Sequence, residues 1–380
     1  MGEDRIARNR FILKFSEDDL IPQNVWDGAG YNILGPTIFD PRISTVGMAR
    51  EHPANAEEAT PLQHTSEAKD NHHLFEVRET EGKGLGIFAK EDIRRGTLVL
   101  SETPLFSFNS SDGTTDAALL SAFANLPSLE TQAYLDLHAY LPPDYPVVNI
   151  SEEGRKVLGV YSANAWAGGV VDLGSRFNHS CVPNVHLSHD PRTQIYDFRL
   201  VRDVKAGEEL TASYISLFLT RKERQDNLVR WGFECACPAC EKTTDGKKIE
   251  EKRVKLRNVY HEMRTVQYNA ATDVQLLKSY RFKYQQIAAL MRSLGLVSSF
   301  LRKSYYEAAL ISAVLGEGKM ALSWAEKGAD IMLCLYGERQ SYYNMDLNVI
   351  TQLQAAVEGN KTFQFEDIRW PAGWGQDFPN

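Results

Sequence analysis

Three of the five cysteines in this chain crowd into six residues, Cys235-Ala236-Cys237-Pro238-Ala239-Cys240. In a chain of 380 residues with no apolar export core after Met1, such spacing reads as metal binding before disulfides. A Cys-x-Cys-x-x-Cys run can clip three vertices of a zinc tetrahedron and needs a fourth donor from elsewhere. Cys334 stands among Ile331, Met332, Leu333 and Leu335 on a predicted helix, where it reads as a small buried hydrophobe. Cys181 lies in a polar, turn-rich stretch and is the better donor. The spacing therefore predicts one structural Zn2+ held by Cys181, Cys235, Cys237 and Cys240. The competing reading is a chance cluster of reduced thiols.

The rest of the composition narrows the class. A hydrophobic fraction of 43% and a charged fraction of 24% suit an ordinary globular chain. A formal net charge of -8 argues against direct nucleic-acid binding, because counterion release needs a positive surface. It suits basic partners such as Lys-rich tails. No stretch approaches the roughly 20 apolar residues of a membrane span. The expectation is an intracellular protein, cytoplasmic or nuclear, of no particular oligomeric state.

Four segments follow from the texture. Residues 1–72 form an arm or linker whose polar second half carries few large apolar residues. Residues 73–218 show short strands and turns: His73–Thr80 alternates, Gly82-Lys83-Gly84-Leu85-Gly86 turns, and Leu98-Val99-Leu100 follows a turn at Arg95-Gly96. A helical period interrupts this at about 114–140, and residues 141–218 return to strands and turns. Residues 219–244 carry a short helix and the cysteine run. Residues 245–380 are helical throughout; Leu256, Val259, Tyr260 and Met263 share one face, as do Leu277, Tyr280, Tyr284, Ile287 and Met291. A segment ending at Gly337 has a C-cap signal. Small residues at Ala308, Ala309, Ala321, Ala325 and Ala329 fit either a tetratricopeptide-like (TPR-like) array or a plain helical bundle.

Arg176-Phe177-Asn178-His179-Ser180-Cys181-Val182-Pro183-Asn184 is dense in side chains that bond to backbone. Taken alone it is equally a turn whose Asn and His satisfy neighbouring carbonyls. The Gly82–Gly86 turn is not a P-loop, since no Gly-Lys-Ser/Thr ends it, and no long amphipathic helix follows to make a dinucleotide fold.

Taken in order, the Gly-x-Gly turn after a strand, the Asn-His-Ser-Cys-x-Pro-Asn knot, the Gly207-Glu208-Glu209-Leu210-Thr211-Ala212-Ser213-Tyr214 strand and the cysteine run resemble a SET domain with its post-SET zinc clip. The match covers about residues 73–242. The helical tail is similar to the SET-and-MYND (SMYD) type of methyltransferase, but residues 90–165 hold no cysteine, so the MYND finger is absent. The implied fold is α+β: a SET β-fold of short strands with a pseudoknot and inserted helices, then an all-α, TPR-like domain.

The resemblance also implies roles. Lys83, Gly84 and Leu85 would lie against S-adenosyl-L-methionine (AdoMet), with Lys83 near its carboxylate. Asn178 and His179 would bind its adenosine and amino-acid portions, and Phe233 would pack on the adenine. Tyr214 matches the active-site tyrosine and touches the cofactor. Asn164-Ala165-Trp166 matches the Asn-x-Phe segment of the substrate channel, with Trp in place of Phe. The residue types suit methyl transfer, in which positioning and electrostatics supply most of the rate. An acceptor amine must be neutral to attack, and an apolar aromatic channel lowers a Lys pKa. The implied activity is AdoMet-dependent protein-lysine methylation, on histone or other protein. The alternatives are methylation of a small-molecule acceptor, or a non-catalytic interaction module.

Overall fold

The computed structural model describes residues 71–370 except 109–115, 144, 146–149, 191–192, 265, 267, 269–271, 339–340 and 361. Of the arm expected over residues 1–72, residues 1–70 lie outside the described residues.

Three small sheets build the first part. β1 (Phe75–Thr80) pairs antiparallel with β2 (Gly84–Ala89), which pairs with β9 (Glu209–Ala212), and β9 runs parallel to β6 (Asn178–His179). β3 (Leu98–Glu102), β8 (Ile195–Leu200) and β7 (Val185–Asp190) form a second, antiparallel sheet in that order. β4 (Phe106–Ser107) and β5 (Gly169–Val170) form the third. β8 alternates strictly, sending Tyr196, Phe198 and Leu200 into the core, as period-2 side chains on a half-covered sheet must. There they join Ile87, Val99, Leu100, Phe177 and Leu210.

The helical stretch expected at 114–140 is two helices, α1 (Asp116–Phe123) and α2 (Ser128–Leu135), separated at Pro127. A third, α3 (Glu152–Asn164), lies where strands and turns were expected. Its start is locally encoded: the Ser151 hydroxyl accepts from Gly154 N at 3.1 Å, and Glu152 and Glu153 face the positive end of the helix dipole. Phe106, Phe123, Tyr134 and Tyr161 join this insert in edge-on and tilted ring contacts.

α4 (Arg221–Leu228) opens with a Thr220/Glu223 capping box. Five long helices follow: α5 (Thr244–Met263), α6 (Val274–Ser293), α7 (Ser299–Val314), α8 (Gly318–Tyr336) and α9 (Ser341–Gly359). α7 is buried on every side between α6 and α8. α8 ends at Gly337, with φ of +78°, and docks on the second sheet. There Tyr336 meets His186 edge-on at 5.5 Å, Cys334 Sγ lies 3.5 Å from the Leu200 carbonyl, and Asp330 pairs with Arg95 at 2.9 Å. Cys334 is thus a buried core thiol, as its apolar neighbours suggested.

Candidate active site and metal centre

Between β6 and β9 the chain crosses itself, and one side chain stitches the crossing. Asn184 Oδ1 accepts from Thr211 N at 2.7 Å, and its Nδ2 donates to the Glu209 carbonyl at 2.8 Å. Ser180 N and Asn184 N donate to the carbonyls of Ala212 and Thr211. The crossing holds Tyr214, just beyond β9, beside His179 in β6. Tyr214 N donates to His179 Nδ1 at 3.0 Å, and Tyr214 OH donates to the Phe177 carbonyl at 2.8 Å.

Four rings surround Tyr214. Trp166 meets it edge-on and Trp231 tilted, each at 5.5 Å between centroids; His179 lies at 5.3 Å and Phe233 at 6.5 Å. Burial pushes the Tyr214 hydroxyl well above the ordinary phenol range, with the Glu209 charge adding to it. It therefore works as a neutral donor. Trp166 is presented by a tight turn in which Trp166 and Gly169 exchange both backbone bonds across Ala167 and Gly168. Gly169 has no room for a Cβ, which would lie 2.3 Å from Tyr196 Oη. Asn164 spends its amide on the carbonyls of His138 and Val160, closing α3.

The glycine turn lies on the other side of the knot. Gly82 and Gly84 both adopt positive φ, at +71° and +72°. A Cβ on Gly86 would meet Thr80 Oγ1 at 2.6 Å and Asn178 Nδ2 at 2.8 Å, so the turn lies flat on the knot. Glu209 joins the two: it accepts from Lys83 Nζ at 3.0 Å and from Asn178 Nδ2 at 2.8 Å. Asn178 also donates to the Leu85 carbonyl at 3.2 Å. Glu208 pairs instead with Arg202. Both carboxylates are structural partners, Glu209 of Lys83 and Asn178 and Glu208 of Arg202. Leu85, 40% exposed, and Phe233, 36% exposed, leave apolar surface uncovered beside this cradle.

The four predicted cysteines come together. The Sγ atoms of Cys181, Cys235, Cys237 and Cys240 all lie within 4.8 Å of one another. Cys181 is 3.9 Å from Cys235 and 3.5 Å from Cys240. Zinc–thiolate bonds of about 2.3 Å in a tetrahedron require sulfurs about 3.8 Å apart, so the donor set fits the ion. Hydrogen bonds among the cysteines push the Cys181 thiol up and hold Cys237 down. Four sulfurs this close could all be thiolates only with a cation among them. Burial lowers the His179 imidazole to about 3, so the ring is neutral. Since Nδ1 accepts from Tyr214, the proton sits on Nε2, which faces Cys181 Sγ at 3.3 Å. One imidazole thus joins the tyrosine to the thiolate cluster.

Residues 84–215 match the SET domain. The α+β fold here is a SET fold followed by a helical C-terminal region. Over 188 residues the chain is 31% identical to the histone-lysine N-methyltransferase set5 of Schizosaccharomyces pombe, covering 48% of this chain and 53% of that protein. Over 86 residues it is 40% identical to the histone-lysine N-methyltransferase SET5 of Yarrowia lipolytica, covering 22% of this chain and 20% of that one. It is 26% identical over 162 residues to the N-lysine methyltransferase SMYD2-B of Xenopus laevis, covering 40% and 37%. The chain spans about half the length, or less, of these relatives.

Sequence reasoning missed Trp231 and Arg253. Trp231 stands two residues before Phe233 and donates to the Ala163 carbonyl at 3.2 Å. Gly232 at φ +76°, packed on the Tyr140 ring, makes the bend between the two aromatics. The Trp-Gly-Phe spacing was the available signal. Arg253 interrupts the buried stripe of α5 that includes Gly246, Leu256 and Met263. No helix among the described residues is long and apolar enough to cross a membrane.

Proposed function

We propose that this chain is an AdoMet-dependent protein-lysine N-methyltransferase of SMYD-like build without a MYND finger, acting in the cytoplasm or nucleus on a histone or other Lys-bearing protein. The observation that carries the reading is Tyr214, held by the Phe177 carbonyl inside a box of Trp166, Trp231, His179 and Phe233. The relatives' names, two histone-lysine and one N-lysine methyltransferase, support the acceptor class.

AdoMet supplies an activated methyl group on a sulfonium. The cradle suits such a ligand: positive-φ glycines expose backbone at Gly82–Gly84, Lys83 offers a cation for a carboxylate, and Phe233 offers a half-open ring for a base. Asn178 and His179 would hold it from the knot. Asn164 closes the helix that leads to Trp166, and Trp166 with Tyr214 would wall the acceptor channel. Such a box desolvates an amine, lowers its pKa and favours the neutral nucleophile. The Tyr214 hydroxyl orients the acceptor while its neutral state avoids adding an anion. Zinc at Cys181, Cys235, Cys237 and Cys240 is structural and fixes Phe233 against the knot.

The test is incubation of the chain with labelled AdoMet and separated protein and metabolite extracts. Label is expected in protein, with Tyr214→Phe reducing it about 100-fold or more. Label confined to the metabolite fraction would end the protein-lysine reading. Undiminished transfer by the variant would remove Tyr214 from the reaction.

A further inference from the structure

Arg253 lies on the inward face of α5 and is fully buried, 0% exposed. A buried guanidinium normally has a carboxylate against it, because an unpaired charge in the interior costs several kcal/mol. Arg253 has none in ion-pair contact among the described residues. Its two terminal nitrogens donate to the carbonyls of Leu217 and Cys181, and its Nε has no hydrogen-bond partner. Burial and the neighbouring Arg224 charge lower its pKa, and negative charge on Cys181 and Cys237, then on Glu250, opposes the fall.

The cluster has a complementary need. Four thiolates around a dication leave a dianion, and here Cys181, Cys235 and Cys240 are buried and Cys237 partly so. Arg224, also fully buried, places Nη2 3.7 Å from Cys240 Sγ, but it shares its charge with Glu250 at 3.5 Å. Arg253 has no such ion pair among the described residues and bonds instead to the Cys181 backbone. It reaches the Cys181 backbone from a helix that begins only after the cysteine run has ended.

We propose that Arg253 is the counter-cation of the tetrathiolate centre, so that helix α5 and the metal retain each other. This rests on reading the four cysteines as a zinc site. Removing the metal would strand a buried cation among protonated thiols. Removing the guanidinium would leave the cluster without its counter-charge and the Cys181 segment without its tie to α5, so the metal would be held less firmly.

The test measures zinc transfer from the full chain to a chromophoric chelator, with circular dichroism confirming the fold of each variant. Arg253→Met should release zinc at least about tenfold faster than wild type, with Arg253→Lys in between. Arg257→Met is the control. Arg257 sits one turn further along α5 and pairs with Glu223, so its loss should leave release within about twofold. A folded Arg253→Met that releases zinc at the wild-type rate overturns the proposal and reduces Arg253 to a carbonyl clamp, leaving the zinc reading intact. A wild-type chain that takes up no zinc overturns both. If Arg253→Met does not fold, hydrogen exchange on the wild type decides. Zinc removal should deprotect α5 around Arg253 well before α8, and equal retention of protection in α5 refutes the coupling.

Discussion

Glu102 shows how one carboxylate can hold a site it does not touch. Its oxygens accept from Leu173 N at 3.1 Å and Gly174 N at 2.7 Å, the opening amides of the tight turn at Leu173–Arg176. Asp172 stands at the local cap position but its side chain makes no capping bond. The cap is supplied from 71 residues away in sequence. That turn leads into Phe177, whose carbonyl receives the Tyr214 hydroxyl. Burial raises the Glu102 carboxyl from 4.5 to about 7; the two amides oppose the rise and the Asp172 charge adds to it. The folded chain therefore holds a proton there that the unfolded chain has lost. This group's stabilising contribution is greatest at low pH and is lost as pH rises from about 4.5 through about 7. The loss is at most about 3 kcal/mol, less what solvent screens at a half-buried site. In urea unfolding, wild type should weaken between pH 5 and pH 8 by on the order of 1–3 kcal/mol more than Glu102→Gln, which cannot titrate. Parallel pH profiles for the two proteins would mean that the carboxyl titrates normally.

Among the elements, the knot depends on side chain replacing backbone. β6 is two residues long, and its pairing with β9 is completed by Asn184, 1% exposed, acting as an extra peptide group. Asn184→Leu leaves Thr211 N–H and the Glu209 carbonyl buried without these partners. At about 1–3 kcal/mol for each such group, the fold should lose on the order of 2–4 kcal/mol. Asn184→Asp keeps the acceptor half and should lose less. Denaturant midpoints would show it, and a Leu variant as stable as wild type would mean that water or a shifted backbone takes over both bonds. This also explains which elements were legible in the sequence. The long C-terminal helices announce themselves by period, because each buries a continuous stripe. The two-residue strands β4, β5 and β6 carry no period at all, and their pairing comes from partners far along the chain. α3 is a different case. Its Ser151 cap and acidic first turn were readable, but its glycines and β-branched residues obscured the helical pattern. Pro127 likewise marked the division of α1 from α2.

Across the whole molecule, the contiguous motifs were the legible part of the site: Lys83–Gly86, Asn178–Asn184, Glu209–Tyr214 and the cysteine run each encode a local shape. What joins them was not legible. Glu102, Trp231 and Arg253 act on groups in other segments, and single residues at long range leave no spacing to read. The joining matters for how the molecule behaves as a unit. Cys181 belongs to the strand-crossing segment, while Cys235, Cys237 and Cys240 belong to the tail that carries Trp231 and Phe233. A metal held between them would fasten the tail to the knot, and Arg253, bonded to the Cys181 carbonyl, would extend that fastening into the helical region. Zinc removal should therefore do more than lower stability. Phe233, already half exposed and held at 6.1 Å from His179, would lose the anchor that keeps it over the cradle. Titration calorimetry with S-adenosylhomocysteine, before and after stripping zinc with a chelator, should show affinity falling about tenfold or more, equivalent to about 1.4 kcal/mol or more. Returning zinc should restore it. If affinity survives complete removal while the chain stays folded, the four cysteines merely staple the tail, and the aromatic wall holds its place through Trp231 and the Ala163 carbonyl alone.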